Sequence, residues 1–189
     1  MTRILKIGDE KFDLDKKTLL MGILNVTPDS FSDGGRFFSI EKAVSRAIEM
    51  EKQGADIIDI GGESSRPGSL PVSAEEEMRR VIPVLEKIVK KVSIPISIDT
   101  YKYEVAKKAL ETGADMINDI SALRNDEKIA DLVSNYDVPI CLMHMKGTPR
   151  DMQENPFYKD VVREIKSFLN ERINYAISKG VKKDNIIID

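Results

Sequence analysis

An internal disulfide is closed to this sequence. Its 189 residues include one cysteine, Cys141, too few for a disulfide framework or a cysteine zinc cluster. One histidine, His144, excludes a multi-histidine metal site and leaves a histidine-based triad without support. Tryptophan is absent and aromatics are 6% of the chain. No apolar run approaches the roughly 20 residues of a membrane span. The first 30 residues carry too many Lys, Asp and Glu for a signal peptide. There is no excess of positive charge: 29 Lys and Arg against 32 Asp and Glu give a net charge of −3. Binding to nucleic acid or to an anionic membrane is not expected. With 41% hydrophobic and 32% charged residues, the composition is that of a globular cytoplasmic protein.

What is present is a repeating pattern. Residues 1–18 hold two short alternating runs, Arg3–Ile7 and Lys11–Leu14, around Gly8-Asp9-Glu10, a hairpin signal. From residue 19 to 189, apolar runs alternate with helical-period stretches. The expected strands are Leu20–Asn25, Asp56–Gly61, Ile94–Asp99, Asp115–Asn118, Pro139–His144 and Asn185–Asp189. They are rich in Ile, Val and Leu without clean alternation, as strands buried on both faces of a parallel sheet are. The expected helices are Ile40–Gln53, Ala74–Lys91, Tyr103–Glu111, Asp126–Ser134 and Lys159–Lys179. Ser73 followed by Glu76 reads as a capping box, and Gly54, Gly113 and Gly180 as left-handed helix ends. On the last helix the apolar stripe is Val161, Val162, Ile165, Phe168, Leu169, Ile173 and Ile177.

Alternating β and α elements of this kind form an α/β fold, either an open doubly wound sheet or a (β/α)₈ TIM barrel. Nearly every strand ends on a polar residue: Asn25, Asp59, Asp99, Asn118, His144 and Asp189. Barrels place functional residues there, whereas a doubly wound sheet concentrates them at one switch point. The barrel is therefore the expected fold. At about 33 residues per unit, the sequence reaches only about six of the eight βα units, and two more would bring it to about 260 residues. The barrel is expected to be incomplete in these 189 residues, with an N-terminal β-hairpin as a separate element.

Nucleotide fingerprints such as Gly-x-Gly-x-x-Gly are absent. Two long glycine-hinged stretches leave the first two barrel strands, Gly22–Gly35 and Gly61–Gly68. Arg66 can clamp phosphate oxygens, with Ser64 and Ser65 beside it. Asn25 offers a neutral oxygen suited to Mg²⁺. By itself Ser64-Ser65-Arg66-Pro67-Gly68 is more often a turn than an anion site, and Asn25 more often a turn cap. Asp99, Asn118 and Asp189, on three strand ends, would share a pocket in a closed barrel. Their donors and acceptors suit a flat heterocycle with adjacent ring N–H and amino groups. Each could instead cap a helix, and Asp119 could do the same. Met143 could pack its thioether on a ring or fill the core. His144 and Cys141 read as structural.

The stretches Gly22–Gly35 and Gly61–Gly68 closely resemble the two signature loops of the dihydropteroate synthases, the sulfonamide targets of folate biosynthesis. Ser97-Ile98-Asp99-Thr100, Ile117-Asn118-Asp119-Ile120 and Leu142-Met143-His144-Met145 resemble their later strands. The resemblance implies a TIM barrel. It also implies a transferase that condenses 6-hydroxymethyl-7,8-dihydropterin pyrophosphate with p-aminobenzoate, giving 7,8-dihydropteroate and pyrophosphate. Carried over by motif, Asp99, Asn118, Asp189 and Met143 would hold the pterin. Asn25 would ligate Mg²⁺, and Ser65 would contact the phosphate end. Phe31, Asp33, Arg66 and Pro67 would order over the p-aminobenzoate site, with Asp99, Asp33 and Arg66 closest to the chemistry. Ser65 replaces the usual Thr and keeps the hydroxyl. The family's Ser-x-Lys and Arg-x-His segments, on its last two strands, have no counterpart here. The 189 residues alone are therefore expected to be inactive, and the full-length protein to be a homodimer. A pterin-binding methyltransferase barrel would share Asp99, Asn118 and Asp189 but would not need the anion-binding loops. A non-catalytic pterin-binding remnant is the third reading.

Overall fold

The computed structural model describes residues 3–27, 35–64, 70–148 and 150–189, with only the backbone of 35–39. Strands β1 (Ile4–Ile7) and β2 (Glu10–Asp13) pair antiparallel as the expected hairpin. The remaining elements alternate. They are β3 (Met21–Asn25), α1 (Gly35–Lys52), β4 (Ile57–Gly61), α2 (Ala74–Ile88) and β5 (Ile96–Asp99), then α3 (Tyr103–Thr112) and β6 (Met116–Asp119), and finally α4 (Lys128–Tyr136), β7 (Ile140–Leu142), α5 (Val161–Ser178) and β8 (Ile186–Ile188).

Strands β3 to β8 form one parallel sheet in strictly sequential order. That order has no reversal point, which excludes the doubly wound alternative. Each crossover steps the same way, so right-handed connections put every helix on one face. This is the winding of a TIM barrel, here six consecutive strands of it.

The two faces of the sheet bury different things. Ile58, Ile60, Ile98, Ile117, Ile140 and Leu142 point outward into the helix layer, against Val81, Leu85, Ile88, Ala106 and Val133. Burying each such aliphatic side chain contributes about 1.5–3 kcal/mol. At one end of the inner face, Leu5 and Ile7 of the hairpin pack on Ile57, Met116 and Cys141. The hairpin thus plugs the N-terminal end of the sheet, and polar residues occupy the other end.

The local signals act as expected at several points. Ser73 Oγ accepts from the Glu76 N–H at 3.2 Å, and Gly113 caps α3 at φ 112°. Two expectations are corrected. The outermost strands are not buried on both faces: Ile23 on β3 and Ile188 on β8 are exposed, because each lies at an edge of the sheet. On α5 the expected stripe is only partly buried. Leu169 and Ala176 are inside, whereas Val161, Val162 and Ile177 face solvent. Between the two buried positions the docking face carries Arg172, whose guanidinium reaches the loop after β6.

Candidate functional site

Strand register decides which side chains meet. Asn25, Gly61, Asp99 and Asn118 lie in one row across β3, β4, β5 and β6. One step nearer the plug, Asp59 is matched to Ser97. Because side chains alternate along a strand, residues two apart share a face. Asp59, Ser97, Asp99 and Asn118 are therefore on the inner face together.

The Asn118 Nδ2–H donates to Asp59 Oδ2 at 3.0 Å, and the side-chain oxygen of the same amide is an acceptor. Asp59 is 4% exposed, and burial raises its pKa, partly offset by Ser97 and Asn118. Its Oδ1 and the Ser97 Oγ are nonetheless buried without a well-formed hydrogen bond. Asp99 is pushed well above the usual carboxylate range. Burial is the main cause, and Asp59, Glu77, Asp119 and Glu63 each add repulsion. Such a pocket favours a ligand that brings N–H donors or positive charge.

Gly61 keeps a gap open between two oxygens. A Cβ there would lie 3.4 Å from both Asn25 Oδ1 and Asp99 Oδ2. An amide oxygen and a carboxylate converging on one gap are donors suited to a hard cation that takes its other ligands from water or phosphate. No group of three or more His, Cys, Asp or Glu side chains could hold a metal among the described residues.

Beside this row lies an ionic cluster that sequence reasoning missed. Lys102 Nζ donates to Glu63 Oε2 at 2.6 Å and also to Glu77, and Tyr101 donates its hydroxyl to Glu63. Glu63 Oε2 further accepts from the Val72 N–H at 2.9 Å, so one carboxylate joins Glu63 to Val72. Glu77 is 1% exposed. Burial, reinforced by Glu63, raises the Tyr101 pKa. One signal was available: Glu77 falls on the buried stripe of α2 with Val81, Leu85 and Ile88.

A cavity of about 430 Å³ opens over the ends of the central strands, lined in part by Glu63, Tyr101, Ile120, Ser121, Arg124 and Asn125. A narrower crevice shares Glu63, Tyr101 and Ile120 with it and reaches Asp99. The cavity and the acidic row therefore belong to one region at the C-terminal end of the sheet, where barrels carry their sites.

The structure brings Asn25, Asp99 and Asn118 together. Asp189 follows β8, two strands from Asn118, and bonds through its backbone to Leu142 and His144. Met143 is half-buried beside the same strand ends. His144 packs edge-on against Phe168 at 4.9 Å, a structural position. Cys141 is buried in the plug layer and its thiol is pushed up to about 12. The helix-capping alternative fails for Asp99, since the N-cap position of α3 is Lys102. It also fails for Asp119, whose carboxylate binds the backbone of its own turn. Phe31, Asp33, Ser65, Arg66 and Pro67 lie outside the described residues.

Comparison with known proteins gives this geometry a context. Residues 21–189 match the family described as pterin binding enzyme. A dihydropteroate synthase of Clostridium beijerinckii is 49% identical over 185 residues, covering 98% of this chain and 66% of that protein. A Xanthomonas albilineans dihydropteroate synthase solved with 4-aminobenzoic acid superimposes with a TM-score of 0.90 at 46% identity, over 100% of this chain and 66% of that one. A structure of dihydropteroate synthase from the same organism in complex with 7,8-dihydropteroate gives 0.85 at 44% identity, over 98% and 65%. The chain thus spans just under two thirds of the length of these relatives. Its sequential parallel sheet, its inner row of Asp59, Asp99 and Asn118, and its match over residues 21–189 place the chain in the pterin-binding enzyme family.

Proposed function

We propose that this chain forms the pterin-binding part of a dihydropteroate synthase. Its substrates are 6-hydroxymethyl-7,8-dihydropterin pyrophosphate and p-aminobenzoate. The observation that carries this reading is the pairing of Asp99 with Asn118 in one strand register, inside a pocket crowded with carboxylates. A pterin presents adjacent ring N–H and amino donors beside acceptor nitrogens. Asp99 accepts from such donors. The Asn118 side-chain oxygen, on the amide whose N–H Asp59 holds, accepts from another. Asp189 and Met143 complete the ring contacts in this proposal. The complexes of the Xanthomonas albilineans enzymes with 4-aminobenzoic acid and 7,8-dihydropteroate support the substrate pair.

In the reaction, the bond between the pterin methylene carbon and the pyrophosphate oxygen breaks. The electron pair leaves with pyrophosphate, and the methylene becomes electron-poor. Asp99 and Asp59 supply negative potential at that carbon. The arylamine nitrogen then bonds to the methylene and releases a proton to solvent. No protein nucleophile is needed, in keeping with a single histidine and a buried, unreactive Cys141. Asn25 would hold Mg²⁺, which would supply charge neutralisation for the departing pyrophosphate. Asn25 and Asp99 flank the gap over Gly61, which supports that placement. Ser65, Arg66 and Pro67 are proposed for the phosphate and p-aminobenzoate ends, with Phe31 and Asp33. No helix among the described residues is long and apolar enough to cross a membrane. We place the enzyme in the cytoplasm, as a homodimer at full length.

Isothermal titration of the natural polypeptide that carries this sequence tests the proposal. Dihydropterin pyrophosphate with Mg²⁺ should bind first, and p-aminobenzoate only when pyrophosphate is present. Tight binding of methyltetrahydrofolate without binding of the pyrophosphate ester would overturn it in favour of the methyltransferase reading.

A further inference from the structure

The turn that follows Asn118 is strained and buried. Ala122 and Leu123 have φ of 52° and 64°, two consecutive non-glycine residues in the left-handed region, and both are 0% exposed. Side chains disfavour that conformation, and it persists only where the surroundings over-determine it. Here they do. Asp119, also fully buried, accepts from the Ser121 N–H at 2.7 Å and the Leu123 N–H at 2.8 Å, one to each carboxylate oxygen. The Ala122 N–H donates to the Asp119 carbonyl at 3.0 Å. Arg124 Nε donates to the Ser121 carbonyl at 2.9 Å. The carbonyls of Ala122 and Leu123 accept from Arg172 Nε at 2.8 Å and Nη2 at 3.3 Å. Arg172 comes from α5, fifty positions along the chain, where an aliphatic residue would dock the helix more simply. Arg124 and Arg172 lie close enough to repel each other. Burial first, and then Arg172, pulls the Arg124 pKa down. Two like charges are thus gathered over one turn to reach its carbonyls.

The turn leads directly to the site. The main-chain carbonyl of Asn118 accepts from the Thr100 N–H, next to Asp99, and that of Asp119 accepts from the Met143 N–H. Ile120 and Ser121 line the cavity, and Ile120 also lines the crevice that reaches Asp99. We infer that Arg172 is a positioning residue for the pterin site: by holding the left-handed pair Ala122-Leu123 it fixes the strand end that carries Asn118. The binding part of this inference rests on the function proposed above, whereas the clamp itself does not.

Two readouts on the natural polypeptide separate the two. Amide hydrogen exchange of residues 121–123 reports the clamp. The dissociation constant for dihydropterin pyrophosphate reports its consequence. Arg172→Met should remove most protection of these three amides and weaken pterin binding about tenfold. Arg172→Lys, which retains a cationic donor without the planar fork and folds more safely, should give an intermediate loss of both. Adding Ala122→Gly to either variant should restore binding most of the way, because glycine adopts the left-handed region without strain. The KM for p-aminobenzoate at saturating pterin should not change. Unchanged exchange in both Arg172 variants would overturn the clamp. Exchange that rises without any change in pterin affinity, or a loss that Ala122→Gly fails to restore, would overturn the positioning role. If the unaltered protein does not bind the pterin ester, the functional proposal fails and the exchange data still decide the clamp.

Discussion

Replacing Asp99 with Asn should stabilise the fold while damaging the site. Asp99 is a desolvated carboxyl facing Asp59, Glu77, Asp119 and Glu63, and its pKa is raised well above the ordinary 3.8. A raised pKa means that the folded chain keeps a proton which the unfolded chain has already released. The unfolded state then binds fewer protons, and stability falls as pH climbs from about 3.8 toward the folded-state value. Asn is nearly isosteric and carries no charge, so Asp99→Asn removes that loss. Relief of a destabilised site is typically worth about 0.5–2 kcal/mol. At this chain length, 1 kcal/mol moves Tm by about 2–4 °C. The variant should match the parent near pH 4 and exceed it by that amount at pH 7 in urea unfolding followed by circular dichroism. The same change replaces a charge-assisted hydrogen bond, worth about 1.5–3 kcal/mol. Pterin affinity should therefore fall by roughly 10- to 150-fold. A variant that is less stable than the parent at pH 7, or a stability difference that does not change with pH, would refute the reasoning.

Gly62→Ala should destabilise by about 1–3 kcal/mol, because a Cβ there would meet Val81 Cγ2 at 2.7 Å and Glu77 Cγ at 3.0 Å; a urea midpoint measures it. Ile7→Ala, in the hairpin plug and 0% exposed, should cost about 2–5 kcal/mol in the same assay. If the hairpin were a loose appendage, the cost would be near zero. Lys102→Met would take from Glu77, 1% exposed, the cation it is bonded to; removing one partner of a buried pair costs about 3–5 kcal/mol, which thermal unfolding should register. Polypeptide 1–189, supplied with both substrates and Mg²⁺, should show no turnover in a dihydropteroate assay.

The winding of the sheet was legible because it rests on periodicity. Short Ile-rich runs separated by amphipathic stretches mark each strand, and the polar strand ends distinguish a barrel from a doubly wound sheet. Boundaries were less legible. Pro139–His144 contracts to Ile140–Leu142, since His144 turns outward to Phe168. The expected helix from Ala74 ends at Ile88 rather than Lys91. The two faces of a parallel strand are both apolar, so nothing in Ile57-Ile58-Asp59-Ile60 says which isoleucine meets the plug and which the helices. In the site, Asp99, Asn118 and Asn25 could be read because they sit where strands end. Asp59 was visible as a polar residue, but its bond to Asn118 depends on register between β4 and β6. Glu77 and Arg172 look like ordinary surface charges on helices. Only their place on buried stripes, beside Val81 in one case and Leu169 in the other, hints at partners far along the chain.

The central claim is that the inner face of β5 and β6 holds a pterin through Asp99 and Asn118. The most direct test is the dissociation constant for dihydropterin pyrophosphate in Asn118→Ala, measured by titration calorimetry beside the parent, with circular dichroism to establish that both are folded. A loss of tenfold or more in a folded variant is the predicted result. An affinity equal to the parent's would contradict the account.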